Sequence, residues 1–317
     1  MADILPWVDK YRPKLLDDVV GNEQIVGHFK KIVNNGNIPH MLLVGKSGVG
    51  KTTSVICLAK TMLAEQFQDA FLELNASDDR GINTVRDTIV SFCQKKVTFN
   101  KNRQKIIFLD EAESLTKQAQ QALKRIIENY STTTRFILAC NDSSGFLDAI
   151  ESRCTIYRFE CIKNTELCTL LTKICMNEKI NHTNEALLNI CMASDSDARK
   201  AVNYLQRISL MYGEISLENV SEIIGKPNTV IITDLLKNTI SKNFGYCKEV
   251  IDDLMMKGYY GLDILKMLFN VIKDYKMDEQ QRFGFLGILG DTEVNLNQGA
   301  DEYIQLLAMI SKMSRVV

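Results

Sequence analysis

The sequence predicts an α/β fold: a parallel sheet covered by helices as far as residue 160, followed by helices alone to residue 317. From His40 to Glu160, short apolar runs alternate with stretches of helical period. The strand signal stops at Cys161. A glycine-rich loop of phosphate-binding spacing, Gly45-Lys46-Ser47-Gly48-Val49-Gly50-Lys51-Thr52, joins the first apolar run to the first helical stretch.

Strands are expected at His40–Val44, Phe71–Leu74, Ile106–Asp110, Phe136–Cys140 and Thr155–Phe159. Helices are expected between them at Thr52–Ala64, Ile82–Gln94 and Gln118–Tyr130. Such alternation makes neighbouring strands parallel, because each helix carries the chain back to the same end of the sheet. Next come helical patterns at Thr165–Asn177, Asn184–Ala193, Asp197–Tyr212 and Leu217–Ile224, then the breaker cluster Gly225-Lys226-Pro227-Asn228. Beyond it, apolar spacing through Leu235, Leu254, Leu265, Leu268 and Ile272, and again over Tyr303–Met313, reads as helix. Glycines at 284, 287 and 290 weaken one of these C-terminal helices. The expected division is 1–160, 161–226 and 227–317.

With 45% hydrophobic and 24% charged residues, the chain is no disordered or collagen-like polymer. Nine cysteines, an odd count without short paired spacing, fit a reducing compartment. No apolar run approaches the roughly 18 residues that span a bilayer, and Met1-Ala2-Asp3 opens no secretion signal, so a soluble intracellular protein with no membrane partner is expected. A net charge of -1 excludes a protein that coats nucleic acid with bulk positive charge. The basic run Lys95, Lys96, Lys101, Arg103 and Lys105 reads most simply as a solvated loop. Cys154, Cys161, Cys168 and Cys175 recur every seven residues. Two fall on strand-like sequence and two on one helix face, however, so four thiolates would not converge on zinc. His28, His40 and His182 stand apart from any ligand partner.

The chemistry lies in the α/β part. Glycines 45, 48 and 50 let backbone N–H groups wrap phosphates at a helix N-terminus. Lys51 would reach the β and γ phosphates, and Thr52 would ligate Mg²⁺. Ile106-Ile107-Phe108-Leu109 is a buried strand ending in Asp110 and Glu111. Asp110 would hold the Mg²⁺ through water, and Glu111 would act as general base toward the attacking water. Adjacent Asp-Glu with no guanine-recognition motif favours ATP as the cofactor. Asn141, at the tip of the Phe136–Cys140 strand, would lie between the two motif strands and orient that water.

Five segments then occur in one order: Trp7-Val8-Asp9-Lys10-Tyr11-Arg12-Pro13, the phosphate loop, Glu73-Leu74-Asn75-Ala76-Ser77-Asp78-Asp79-Arg80-Gly81, Asp110-Glu111-Ala112-Glu113 and Ser152-Arg153-Cys154. Together they resemble a small subunit of replication factor C, the AAA+ sliding-clamp loader of eukaryotes and archaea, and look closest to a eukaryotic small subunit. The resemblance implies an AAA+ P-loop parallel-sheet domain followed by a small helical lid and an all-α collar domain. It implies that Tyr11, Arg12 and Pro13 lie near adenine and ribose, with Val19, Val20 and Gly21 closing that pocket, and that Val49 and Thr53 belong to the nucleotide site. It makes Arg153 an arginine finger acting on a neighbour's ATP, and Arg199 in Asp197-Ala198-Arg199 a second sensor. Arg80, Asn83 and Arg86, with Thr116 and Lys117, become candidates for sequence-independent contacts to primer–template DNA. It further implies a hetero-pentamer with other clamp-loader subunits, a sliding clamp as partner, and a nuclear location.

The sequence departs from that family at Lys46-Ser47, at Glu113 where Asp is usual, expected not to touch the metal, and at Ser196 and Ala198, which put the start of the second-sensor helix and the reach of Arg199 in doubt. Two rival functions share part of the pattern: another AAA+ motor such as a hexameric branch-migration helicase, and a scaffold that binds ATP without hydrolysing it.

Overall fold

The computed structural model describes residues 5–77, 82–97, 99, 103–224 and 229–316. Five strands, β1 (Met41–Val44), β2 (Phe71–Asn75), β3 (Lys105–Asp110), β4 (Thr134–Cys140) and β5 (Thr155–Arg158), form one parallel sheet in the order β2-β3-β4-β1-β5. β1, β3 and β4 are central and buried almost throughout, whereas the edge strands β2 and β5 are half exposed. That is why the three middle strands read as unbroken apolar runs.

Alternation still decides what each residue packs against. Met41, Leu43, Ile106 and Phe108 join Phe29, Val55, Leu58 and Met62 in one buried cluster. Leu42, Val44, Ile107 and Leu109 join Ile89, Leu123, Ile126 and Ile127 in another. Each such side chain, taken fully from water, stabilises the fold by about 1.5–3 kcal/mol before entropy is counted.

Among the described residues, seven α-helices run through this part as far as β5: α1 (Trp7–Lys10), α2 (Glu23–Asn35), α3 (Lys51–Leu63), α4 (Phe67–Ala70), α5 (Ile82–Gln94), α6 (Lys117–Tyr130) and α7 (Asp148–Glu151). Three more, α8 (Asn164–Glu178), α9 (Asn184–Ala193) and α10 (Ala198–Tyr212), complete a first compact unit that ends at Ile215. This unit also holds a pair of two-residue parallel strands, β6 (Asn181–His182) and β7 (Glu214–Ile215), which corrects the expectation that no strand follows Cys161. Two residues are too short to show a period.

The second unit begins at Ser216 and contains α11 (Leu217–Ile224), α12 (Thr229–Ile240), α13 (Phe244–Met256), α14 (Gly261–Asp274), α15 (Glu279–Asn297) and α16 (Glu302–Val316). The division thus falls before α11, and Gly225-Lys226-Pro227-Asn228 lies outside the described residues. Leu235, Leu254, Leu265, Leu268 and Ile272 are all buried in this unit's core, with Phe285, Leu306 and Ile310. α15 runs unbroken through its three glycines. A Cβ at Gly284 would come within 2.8 Å of Val316 Cγ1, so this glycine lets α15 and α16 approach, and their packing offsets the low helix propensity.

Of the basic run, Lys105 departs from the expected solvated loop, whereas Lys95 and Lys96 are exposed. Lys105 is only 4% exposed, and its ammonium donates to the carbonyls of Phe92, Cys93 and Lys95 at 2.8, 2.5 and 2.8 Å, tying the end of α5 to the start of β3. Burial holds its pKa below the usual lysine value. Lys95 pairs with Asp69 at 2.6 Å.

Candidate nucleotide site

β4 lies between β1 and β3, and Val44 pairs with Cys140 in register. The ends of β1, β3 and β4 therefore open at one edge of the sheet, as expected where strand order reverses. The phosphate loop leaves β1 there. Gly48 and Gly50 have φ of +71° and +96°, a region that side chains disfavour. Gly45 is needed for another reason: a Cβ would sit 2.7 Å from the carbonyl oxygen of Phe159.

Lys51 is 8% exposed and donates to Gly45 O at 2.5 Å, Lys46 O at 2.9 Å and Asn141 Oδ1 at 3.1 Å. Burial lowers its pKa, and Asp110 opposes that shift. Thr52 Oγ1 donates to Asp110 Oδ2 at 2.7 Å, and Asp110 Oδ1 accepts from the Glu111 amide at 3.0 Å. Glu111 sits at φ +52°, so the chain turns sharply after the strand, and its side chain is exposed. Asn141 Nδ2 donates to Glu113 Oε1 at 2.7 Å. Glu113 was expected only to leave the metal alone; its contact with Asn141 could not be read from sequence.

A cavity of about 430 Å³ opens over this edge. Tyr11, Arg12, Pro13, Val19 and Val20 line it, with Gly48, Gly50, Lys51, Thr52, Thr53, Asp110, Glu111, Asn141 and Arg199. Gly45, Gly21 and Val49 do not. The Gly45 amide donates to Cys140 O at 3.2 Å, extending the sheet, and Val49 is buried in the core at 1% exposure. Further lining, unforeseen in the sequence, comes from Ile162, Leu170 and Ile174 of the α8 region and Val202 of α10. The N-terminal segment is strapped to those helices. Tyr11 Oη donates to Glu178 Oε1 at 2.6 Å, Lys10 pairs with the same oxygen at 2.6 Å, and the Trp7 amide donates to Gln206 Oε1 at 3.0 Å. Burial and the neighbouring Glu178 push the Tyr11 pKa up to about 12.

α10 starts at Ala198 although Gly and Met are replaced there, because Asp197 caps it, its Oδ1 accepting from the Lys200 amide at 3.0 Å. The preceding Ser196 takes φ +66°, a left-handed conformation that costs a non-glycine residue about 1–2 kcal/mol. Ala198 N donates to Gly48 O at 3.2 Å, so α10 begins against the phosphate loop, and Arg199 lines the cavity.

Arg153 lies apart from this cavity. Its guanidinium donates to Ala149 O and to Glu128 Oε1, each at 2.6 Å. Thr116 spends its hydroxyl oxygen on the Ala119 amide at 3.3 Å as the cap of α6, and Lys117 is exposed. Arg80 and the side chains of Asn83 and Arg86 lie outside the described residues. Among the described residues no helix is long and apolar enough to cross a membrane.

Comparison with known proteins bears on this arrangement. Residues 41–160 match the family "ATPase family associated with various cellular activities (AAA)", and residues 227–312 match the "Replication factor C C-terminal domain". Replication factor C subunit 4 of Schizosaccharomyces pombe is 40% identical over 98% of this chain and 91% of its own length. The chain belongs to the replication factor C small-subunit family. The replication factor C small subunit of Methanosphaera stadtmanae is 38% identical over 97% of both chains, and subunit 4 of Saccharomyces cerevisiae 38% over 98% and 96%. A solved Thermotoga maritima RuvB Holliday junction branch migration motor superposes with a TM-score of 0.56 at 19% identity, over 73% of this chain and 79% of that one. That likeness is one of fold. Membership of the AAA family makes this replication factor C chain a nucleotide-binding protein of an ATPase family.

Proposed function

We propose that this chain is an ATP-binding and ATP-hydrolysing subunit of a clamp loader, which opens a sliding clamp and leaves it on primer–template DNA. The observation that carries the reading is the hydrogen bonding of Lys51 and Thr52 from the phosphate loop to Asn141, just past β4, and to Asp110 of β3 respectively. Lys51, held on two loop carbonyls, would exchange them for phosphate oxygens, which a donor-only ammonium suits equally well. Thr52 and Asp110 would hold Mg²⁺. One hydroxyl and one carboxylate fit an ion that keeps several waters and shares phosphate oxygens. Bound there, the ion neutralises charge on the phosphates.

Glu111, exposed beyond the strand tip, would take the proton of the attacking water, and Asn141 would orient that water. The apolar lining of Ile162, Ile174 and Val202, in the same cavity as Tyr11 and Pro13, suits the flat face of adenine. Arg199 would reach the phosphates from α10, so that helix's position would follow nucleotide state. Arg153 would act on the ATP of a neighbouring subunit. Its pairing with Glu128 joins side chains 35% and 43% exposed and is worth at most about 1 kcal/mol, whereas an arginine in trans speeds hydrolysis roughly 10³–10⁵-fold.

α5 and α6 each precede the next parallel strand, so both begin at the sheet edge that carries the nucleotide site. Asn83 and Arg86 of α5 and Thr116 and Lys117 at the start of α6, with Arg80 earlier in the sequence, would follow a DNA backbone without reading bases. Relatives named as subunits of replication factor C support a hetero-pentamer of related chains acting in the nucleus.

The test is Glu111→Gln in the assembled complex. ATP affinity should stay within about two-fold while turnover at this site falls at least a hundred-fold. Unchanged turnover refutes the assignment of the base.

A further inference from the structure

Glu113 lines the cavity without a part in the proposed reaction, and its surroundings are unusual. Its Oε1 accepts from Asn141 Nδ2 at 2.7 Å, while its Oε2 is buried and has no hydrogen-bond partner among the described residues. On the far side of the same amide, Lys51 donates to Asn141 Oδ1 at 3.1 Å. A carboxylate can only accept and an ammonium can only donate. An asparagine held between them has a single orientation, Oδ1 toward Lys51 and Nδ2 toward Glu113. The two ends of an amide are nearly equal in shape, so without such neighbours it turns over freely.

We propose that Glu113 is a positioning residue for hydrolysis: it fixes which way the Asn141 amide faces and keeps it so when Lys51 leaves for the phosphates. This rests on the reading of Asn141 as the group that orients the attacking water. With one Nδ2 proton engaged by Glu113 and Lys51 withdrawn, Oδ1 and the second Nδ2 proton stay in known places for the water and a phosphoryl oxygen. A carboxylate is needed for this, because a glutamine side chain both donates and accepts and so tolerates either amide orientation. A merely structural role gives no reason for the charge. A neutral side chain of the same shape would fill the space without leaving a buried, unpartnered anionic oxygen.

Two measurements test the proposal. The first is made on the full chain alone, by NMR of a sample carrying ¹⁵N only in asparagine side chains, with the Asn141 signal identified by its loss in Asn141→Ala. The wild-type amide should give one pair of proton signals, the engaged proton shifted downfield; Glu113→Gln should move that proton back upfield. A signal unmoved by the substitution overturns the proposal, whether or not the site hydrolyses ATP. The second is ATP turnover of the assembled complex, alongside binding of a fluorescent ATP analogue. Glu113→Gln should lower kcat roughly ten- to hundred-fold, the scale of a misplaced reacting group, with the dissociation constant within about two-fold. Added to Asn141→Ala it should cost nothing further, and Glu113→Asp should recover most of kcat. Equal kcat, or losses that multiply with those of Asn141→Ala, overturn it. If Asn141→Ala itself leaves turnover unchanged, the reading of Asn141 fails, and the NMR result alone decides on Glu113.

Discussion

Replacing Gly48 by alanine tests the join between the phosphate loop and the start of α10. A Cβ at Gly48 would fall 1.9 Å from Asp197 Oδ1, and the backbone there has φ +71°. Asp197 is 7% exposed and capping α10, so its short side chain has nowhere to go without giving up the bond from the Lys200 amide. Three costs follow. The left-handed backbone costs alanine about 1–2 kcal/mol. Loss of the cap costs about 0.5–2 kcal/mol. Displacing α10 from the loop removes the bond from Ala198 N to Gly48 O, about 0.5–1.5 kcal/mol. The sum is about 2–5.5 kcal/mol, of which only the first part belongs to the loop itself. Urea unfolding of Gly48→Ala, Asp197→Ala and the double variant separates these contributions. The double variant should be less destabilised than the two singles added together, by about 1–3.5 kcal/mol, because removing the carboxylate clears the space that the methyl needs. Strict additivity, or a Gly48→Ala cost below about 1 kcal/mol, would refute the claim that this glycine serves the helix as well as the phosphates.

Two further predictions concern buried charge. Lys105→Met should lower stability by about 2–4 kcal/mol in urea unfolding, since three carbonyls at the end of α5 lose their donor, whereas a change within about 0.5 kcal/mol would mean that water replaces it at no cost. His40 accepts a hydrogen bond from the Phe136 amide at 3.1 Å on its Nδ1, and burial, with Arg135 nearby, brings its pKa down to about 4. The unfolded chain therefore binds this proton first as pH falls. The stability His40 supplies is whole above about pH 6.5 and is lost progressively down to about pH 4. Unfolding midpoints at pH 7 and pH 5 should differ more for the wild type than for His40→Asn; equal differences would refute it.

The sheet and the phosphate loop were legible because their signals are local: a buried strand is an apolar run, and a loop that wraps phosphates needs glycines at fixed spacing. Lys51, Thr52, Asp110 and Asn141 could be named for the same reason, each standing at the end of such a run. What escaped the sequence depends on distant residues meeting. The pairing of Tyr11 with Glu178, the apolar wall of Ile162 and Val202, and the contact of Glu113 with Asn141 join segments whose separation in the chain carries no pattern. Lys105 shows the reverse error. In a run of lysines it looks like solvated charge, yet its position at the start of β3 buries it. The strands β6 and β7 were missed because two residues cannot display alternation.

Native mass spectrometry of the assembly purified with this chain from its own cells is the most direct test of the clamp-loader account. The account predicts a hetero-pentamer that holds one copy of this chain beside related but distinct chains, and that binds ATP. A homo-hexamer of this chain would contradict it and point to another kind of AAA+ motor.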